Sequence, residues 1–319
     1  MKHYIGIDLG GTNIVAGVVD EDYNIISRHS SKTRGLERSF KEVVADIVAT
    51  AEKAVENAAE SVGLSMGDIS SIGLGTPSCI NPKTRLLVHA NNMNWRNVPL
   101  YDTLEKHLSG KPLYIKNDAD CAAFGEFLTG GEYNDALMIT LGTGVGGGMI
   151  INKKIFNGCD NMGAEMGHTK LVYDGVQCSC GQKGCYESYA SATALISQTV
   201  EAIERNPNSG LAKAAKLGQV TGRLAFECAK EGDKVALEVI DKYISYVAAG
   251  LSTLITIFRP EIVIIGGGIG EQGDFLLKPL NEKIHKLTFA AEEIGVPKAI
   301  SAKMGNDAGI IGAAMLHKS

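Results

Sequence analysis

The stretch Tyr4-Ile5-Gly6-Ile7-Asp8-Leu9-Gly10-Gly11-Thr12-Asn13-Ile14-Val15-Ala16-Gly17-Val18-Val19 decides how this chain is to be read. Residues 4–8 form an apolar run of strand length, and residues 14–19 are β-branched and apolar, which predicts a second strand. Two glycines join them. Strand, glycine turn, strand is a hairpin, whereas a dinucleotide fingerprint or a Walker loop requires a helix directly after its glycines. No Gly-Lys-Ser/Thr follows either. What remains is a turn whose backbone N–H groups, unobstructed by Cβ atoms, can converge on a phosphate tail. Asp8 ends the first strand, where a carboxylate would face a metal-bound phosphate, and Thr12 adds a hydroxyl donor. Tight hairpin geometry explains one such turn equally well.

Working outward, the pattern recurs. A third strand is expected over residues 24–33 and a long amphipathic helix over 37–62, with apolar side chains at Phe40, Val43, Val44, Ile47, Val48, Ala51, Ala54 and Val55. Residues 69–74 read as a strand ending in Gly75-Thr76-Pro77. A short strand over 113–116 delivers Asn117-Asp118 to its carboxyl end, ahead of a helix over 119–128. At residue 136 the opening returns: a strand over 136–141, the glycine turn Gly142-Thr143-Gly144-Val145-Gly146-Gly147-Gly148, then strands over 149–152 and 154–156. The recurrence suggests an internal duplication of fold. Residues 186–257 are mostly helical, 261–265 form a strand ending in a third turn, Gly266-Gly267-Gly268, and 307–316 form a helix of small residues.

Composition bounds the function. The 319 residues allow about two domains. A net charge of −5 gives no electrostatic case for nucleic acid or an anionic membrane. No apolar run reaches the roughly 20 residues of a membrane span. No leader with a charged start and an apolar stretch is legible at Met1-Lys2-His3. Seven cysteines is an odd number, and three of them crowd into one segment, which favours a reducing cytoplasm with a metal site over a disulfide framework.

Two further constellations carry chemistry. Asp118 stands just before a helix, whose N-terminus would favour its ionised form; an ionised Asp can take a proton from a hydroxyl, while Asn117 could hold a neighbouring hydroxyl. The alternative is that Asn117-Asp118 merely caps the helix. His168 precedes Cys178-Ser179-Cys180-Gly181-Gln182-Lys183-Gly184-Cys185, and one His with three Cys is a complete tetrahedral set for structural zinc. With four protein ligands no position stays open, so the metal would order the loop carrying Glu165, His168 and Glu187 without performing the reaction.

Asp8-Leu9-Gly10-Gly11-Thr12, Asn117-Asp118-Ala119, the turn at residues 142–148, Gly163-Ala164-Glu165-Met166-Gly167-His168 and the Cys178, Cys180, Cys185, Glu187 spacing together resemble the ROK sugar kinases, in order and over nearly the whole chain. Within that family the likeness is greatest to the glucokinases. The resemblance implies an α/β fold of the actin-like ATPase (ribonuclease H-like, hexokinase-type) class, two lobes with a central cleft and a zinc-binding loop. It implies a first lobe of residues 1–118, joined by a C-terminal helix at 302–319, and a second of 119–301. It implies ATP and Mg²⁺ alongside structural Zn²⁺, a hexose as partner, phosphorylation of its 6-hydroxyl, a cytoplasmic homodimer or homotetramer, and no nucleic acid or membrane.

By the same resemblance Asp118 is the base, Asn92, Asn117, Glu165, His168 and Glu187 contact the sugar, and Asp8, Gly10, Gly11, Thr12, Asn13, Gly142, Thr143, Gly144, Gly267 and Gly268 hold the nucleotide. The doubled Asn91-Asn92 leaves open which of the two reaches the sugar. Asn13 stands where many members have Lys. N-acetylmannosamine, allose or fructose are alternative acceptors. The family's repressors carry an N-terminal helix-turn-helix, against which the first strand near Tyr4 argues. Actin-like ATPases that use no sugar lack the zinc knuckle.

Overall fold

The computed structural model describes residues 1–108 and 110–319, the side chain of Asn91 excepted. Twelve strands appear among them: β1 (His3–Leu9), β2 (Asn13–Asp20), β3 (Ile25–Lys32), β4 (Ile69–Thr76), β5 (Leu87–Ala90), β6 (Trp95–Val98), β7 (Leu113–Asn117), β8 (Ala136–Leu141), β9 (Val145–Ile151), β10 (Lys154–Phe156), β11 (Ile262–Gly266) and β12 (Lys298–Ser301). One sheet runs β3-β2-β1-β4-β7 and another β10-β9-β8-β11-β12. In the first, β1 pairs antiparallel with β2 and parallel with β4, and β4 parallel with β7. In the second, β9 pairs antiparallel with β10, and β11 lies parallel to both β8 and β12. Both sheets thus carry a hairpin strand at one end and parallel strands at the other, as a duplicated fold requires.

By internal contacts the chain groups into two units. The first comprises Met1–Asp135, Gly148–Ala164 and Lys303–Ser319, the second Ala136–Gly147 and Glu165–Ala302. Residues 119–135 therefore group with the first unit, where the sequence reading began the second lobe at 119. The reason is packing. The helix Asp118–Gly130 and the closing helix Asp307–Ala314 touch backbone to backbone: a Cβ on Gly312 would lie 1.7 Å from the Cys121 carbonyl oxygen, and one on Gly125 would lie 2.1 Å from that of Ala308. Glu126, buried, fastens the same segment by accepting hydrogen bonds from the Lys303 amide (2.9 and 3.0 Å) and the Met304 amide (2.6 Å).

The core of the first unit forms where Ile5, Ile7, Leu9, Ile72 and Leu74 of the sheet meet Val43, Val44, Ile47, Ala51 and Ala54 of the helix Phe40–Val62. That helix starts at Ser39, whose hydroxyl accepts the Glu42 amide while the Glu42 carboxylate accepts the Ser39 amide, the reciprocal cap that marks a helix start. In the second unit the buried phenols of Tyr186 and Tyr243 donate to the Val247 and Ala190 carbonyls at 2.8 and 2.6 Å. Burial holds both phenols well above their ordinary range, so they stay protonated donors. Among the described residues no helix is long and apolar enough to cross a membrane.

One expectation is corrected. β9 begins at Val145, four residues before the expected start, so the second glycine turn is only Gly142–Gly144 and the later glycines are strand. They are small because of neighbours: a Cβ on Gly148 would meet Ala123 Cβ at 2.6 Å. The hairpin of β5 and β6, with a 3₁₀ turn at Asn91–Met93 between its arms, was not expected at all.

Candidate active site and metal centre

In the first unit, Asp8, Gly75 and Lys116 stand in register at the carboxyl ends of the adjacent strands β1, β4 and β7. Open α/β sheets place ligands at such ends. Asp8 precedes the first glycine turn. There the Gly10 carbonyl accepts the Thr33 hydroxyl at 2.7 Å, and the Gly11 carbonyl accepts the Gly35 amide at 3.2 Å. In a trans peptide the carbonyl and the next N–H point opposite ways, so the amides of Gly11 and Thr12 face away from this backing segment. Asn92 lies beside the turn: a Cβ on Gly11 would sit 3.0 Å from Asn92 Cβ. Asn13 accepts a hydrogen bond from Lys32 Nζ at 2.9 Å, so a lysine reaches this turn from β3 rather than from position 13 itself.

Asn117 caps the helix Asp118–Gly130, its Oδ1 accepting from the Ala119 amide at 2.8 Å and the Asp120 amide at 3.4 Å. The capping alternative is therefore realised, and Asn117 has only its amide NH₂ end to offer a hydroxyl. Asp118 Oδ1 also accepts from the Ala119 amide at 2.8 Å. Its Cα lies 3.5 Å from where a Cβ on Gly75 would be, which sets it against the end of β4. Beneath it is the buried Cys121 thiol, pushed far above its ordinary value first by burial and then by the carboxylates of Asp120, Asp118 and Asp8. That thiol stays protonated. Asp8 pairs with Gly75 across the strands and the Asp118 Cα lies against the same glycine, so both residues flank the end of β4. Burial also pushes the Asp8 carboxyl above the usual range; a divalent cation beside it would restore the ionised form.

In the second unit the turn Gly142–Gly144 is built in the same way. The Gly142 carbonyl accepts the Ala192 amide at 2.8 Å and the Thr143 carbonyl accepts the Thr193 hydroxyl at 2.7 Å, which turns the amides of Thr143 and Gly144 outward. Gly267, at φ 78, presses on the end of β8, with Leu141 O 2.6 Å from its would-be Cβ, whereas Gly268 has nothing within 4 Å. The second and third glycine turns are thus neighbours. Glu187 lies against the second: its Oε2 accepts the Val145 amide at 3.0 Å, and a Cβ on Gly144 would strike that oxygen at 2.2 Å. Its Oε1 accepts from the Ser179 hydroxyl at 3.2 Å and the Cys178 thiol at 3.7 Å. Glu165 is exposed and precedes the short 3₁₀ turn Met166–His168, whose Met166 and Gly167 are buried.

The ligand atoms of His168, Cys178, Cys180 and Cys185 all lie within 4.8 Å of one another. Cys178 Sγ is 3.8 Å from His168 Nδ1, and Cys180 Sγ is 3.7 Å from Cys185 Sγ. A tetrahedron with metal–sulfur arms of about 2.3 Å has edges of roughly 3.8 Å, so this donor set fits zinc. Burial holds the Cys185 thiol up at about 11, whereas the Gln182 backbone amide draws Cys180 below its ordinary value; zinc would take both as thiolates. His168 would then offer Nδ1 to the metal and keep Nε2 for a second partner.

The model of the ROK family matches residues 4–319. The chain belongs to the ROK family. Among its ROK relatives, a glucokinase of Streptomyces coelicolor is 36% identical over 98% of this chain and 97% of its own length. One of Thermotoga maritima is 34% identical over 98% and 96%. The crystal structure of a ROK glucokinase from Streptomyces griseus in complex with glucose and AMPPNP superposes with a TM-score of 0.78 at 34% identity, covering 98% of each chain. The ROK fold is the actin-like α/β fold that the family resemblance implied. Sequence reading missed Lys32 and Ser179 as contributors here. The first was reachable from the hairpin register Asn13↔Lys32; the second follows from loop geometry that no local pattern encodes.

Proposed function

We propose that this chain is an ATP-dependent hexose kinase that transfers the γ-phosphoryl group to the 6-hydroxyl of glucose. One observation carries the proposal: Asp118 heads a capped helix at a parallel-strand end, against the same Gly75 that pairs with Asp8, beside a hairpin turn that presents its amides. The glucokinase activity of the relatives supports the choice of hexose. N-acetylmannosamine, allose and fructose share hydroxyls that the same residues would bind, so they are the alternatives.

Phosphoryl transfer asks of a protein mainly positioning and charge stabilisation. The amides of Gly11, Thr12, Thr143 and Gly144 hold the triphosphate, while the Gly10 and Gly142 amides close their turns on the Asn13 and Gly144 carbonyls, with Asn13 at the rim of the first turn and Gly267 and Gly268 leaving room for the nucleoside. Asn92, Asn117, Glu165, His168 and Glu187 hold the sugar hydroxyls. Asp118 accepts the proton of the 6-hydroxyl as that oxygen bonds to the γ-phosphorus and the bond to the β-phosphate oxygen breaks, releasing ADP. Mg²⁺, when bound, neutralises charge on the phosphates, and Asp8 is the residue that would hold it. Zinc on His168, Cys178, Cys180 and Cys185 would order the loop that carries Glu165 and Glu187. Assembly as a homodimer or homotetramer in the cytoplasm accompanies this reading.

The test is direct. Purified protein with glucose, ATP and Mg²⁺ yields glucose 6-phosphate, and a panel of hexoses ranked by kcat/KM finds glucose first. Asp118→Ala retains sugar binding but loses about 10²–10⁴-fold in turnover, the usual worth of a general base. Wild-type turnover in that variant would exclude Asp118 as the base.

A further inference from the structure

The loop from Asn157 to Glu165 runs into the sugar-binding motif of the proposed function, and its shape is held by a contact that the reading so far leaves unused. The loop is closed on itself: the Gly163 amide donates to the Asn157 carbonyl at 2.9 Å, and the Met162 amide to Asp160 Oδ1 at 3.1 Å. Besides Gly158 at φ 72, two of its residues have left-handed backbone, Asn161 at φ 62 and Ala164 at φ 63. Asparagine adopts that conformation readily; alanine does so at a cost and keeps it only where the surroundings fix the chain. Ala164 immediately precedes Glu165, so its backbone sets the direction in which Glu165 leaves the loop.

What fixes the loop is Asn161. Its Oδ1 accepts a hydrogen bond from Lys116 Nζ at 3.1 Å, and its Nδ2 donates to the Ile80 carbonyl at 3.4 Å. Lys116 belongs to β7, one residue ahead of Asn117-Asp118, and Ile80 to the segment that follows β4. One side chain therefore ties the loop to the strand that carries the base. Lys116 is partly buried, and burial pulls its ammonium below its ordinary value against the opposing pull of Asp120 and Cys121. A lysine placed there is worth its desolvation only through charge-assisted contacts, of which Asn161 Oδ1 is one.

We propose that Lys116 and Asn161 are a positioning pair for the acceptor sugar: Lys116 anchors Asn161, and through it the strained Ala164-Glu165 step, to the strand that ends in Asp118. The pair touches neither reactant. It acts through Glu165, so its loss appears in sugar binding and leaves the nucleotide alone. This rests on the hexose-kinase reading.

The test is a cycle of variants, Lys116→Met, Asn161→Gly and the double variant, with Asn161→Asp as the conservative one. Glycine keeps the left-handed backbone but removes both contacts, whereas aspartate keeps the backbone and an acceptor for Lys116 and gives up only the donor to the Ile80 carbonyl. In the folded proteins, Lys116→Met and Asn161→Gly each raise KM for glucose about tenfold, the worth of one hydrogen bond to a charged group. KM for ATP moves less than about twofold, and the double variant is no worse than either single one. Asn161→Asp, which keeps the Lys116 contact, stays closer to wild type than Asn161→Gly, and hydrogen exchange shows the Met162 and Gly163 amides more deprotected in the glycine variant than in the aspartate variant.

Additive effects in the double variant, an unchanged KM for glucose, or an aspartate variant as poor as the glycine variant would each overturn the pairing. If Lys116→Met does not fold, the comparison of Asn161→Gly with Asn161→Asp decides alone. A wild-type protein that phosphorylates no hexose sinks the parent reading instead, a result distinct from any of these.

Discussion

Gly312→Ala tests whether the closing helix positions Asp118. The added methyl would start 1.7 Å from the Cys121 carbonyl oxygen and 2.6 Å from its carbon, both backbone atoms that no rotamer change can move. To reach ordinary contact, near 3.4 Å, the two helices must part by about 1.7 Å. Cys121 lies one helical turn beyond Asp118, so the helix that gives way carries the proposed base with it. Overpacking a tight core costs about 1–3 kcal/mol, and this backbone clash belongs at or above the upper end. Displacing a reacting group by about 1 Å can cost roughly 10²-fold in rate. The expected outcome is a lower unfolding temperature together with kcat reduced at least about a hundredfold, measured in a coupled assay well below that temperature. Gly218→Ala, at a position with nothing within 4 Å, is the control and should stay within about 0.5 kcal/mol of wild type. A Gly312→Ala protein that is less stable yet turns over glucose at the wild-type rate would refute the idea that this contact sets the base.

Other outcomes follow from single groups. Asp8 has its carboxyl raised by burial, so its contribution to stability is present below the ordinary carboxylate range and is lost as pH rises through its raised pKa. Asp8→Asn should therefore melt at a higher temperature than wild type at neutral pH without ligands, the gap closing toward pH 4, while phosphoryl transfer collapses; equal melting at both pH values would contradict this. Glu126→Ala strands the amide groups of Lys303 and Met304 and should cost at least about 2 kcal/mol in urea unfolding, with a loss below about 0.5 kcal/mol counting against the clamp. Chelation that strips zinc from the His168, Cys178, Cys180 and Cys185 set should lower the unfolding temperature and abolish glucose binding in step. Full activity in demonstrably zinc-free protein would separate the metal from the site.

Much of this molecule is legible from pattern alone where local chemistry and tertiary role coincide. The β-branched run at residues 14–19 and the cap at Ser39 announce their elements, and the recurrence of strand, glycine, strand at residue 136 announces the matching sheet. The metal set is legible because ligand chemistry restricts residue type and spacing together. Where a residue's role depends on distant backbone, pattern fails. Gly146–Gly148 look like more turn, yet they are strand, and Gly147 and Gly148 are kept small by Met138, Met166 and Ala123 from other elements. The arms β5 and β6 are four residues each and too short for alternation to register. The grouping of the helix Asp118–Gly130 with the closing helix depends on contacts nearly 200 residues apart in sequence, between Cys121 and Gly312. Asn117 shows that two readings of one residue need not compete, since its oxygen caps the helix while its amide nitrogen still has donors to give.

The double engagement of Glu187 has a wider consequence. One oxygen steadies the amide that follows the second glycine turn, and the other takes hydrogen bonds from Ser179 and from the thiol of Cys178. A metal that claims Cys178 removes that thiol proton and leaves the carboxylate freer to grip Val145. On the proposed function, loading the knuckle and closing the turn on a polyphosphate would then be linked equilibria, and linkage is reciprocal: whatever factor the ion adds to nucleotide affinity, the nucleotide returns to ion affinity. Cells short of the ion would hold a population of chains weakened toward both ligands at once.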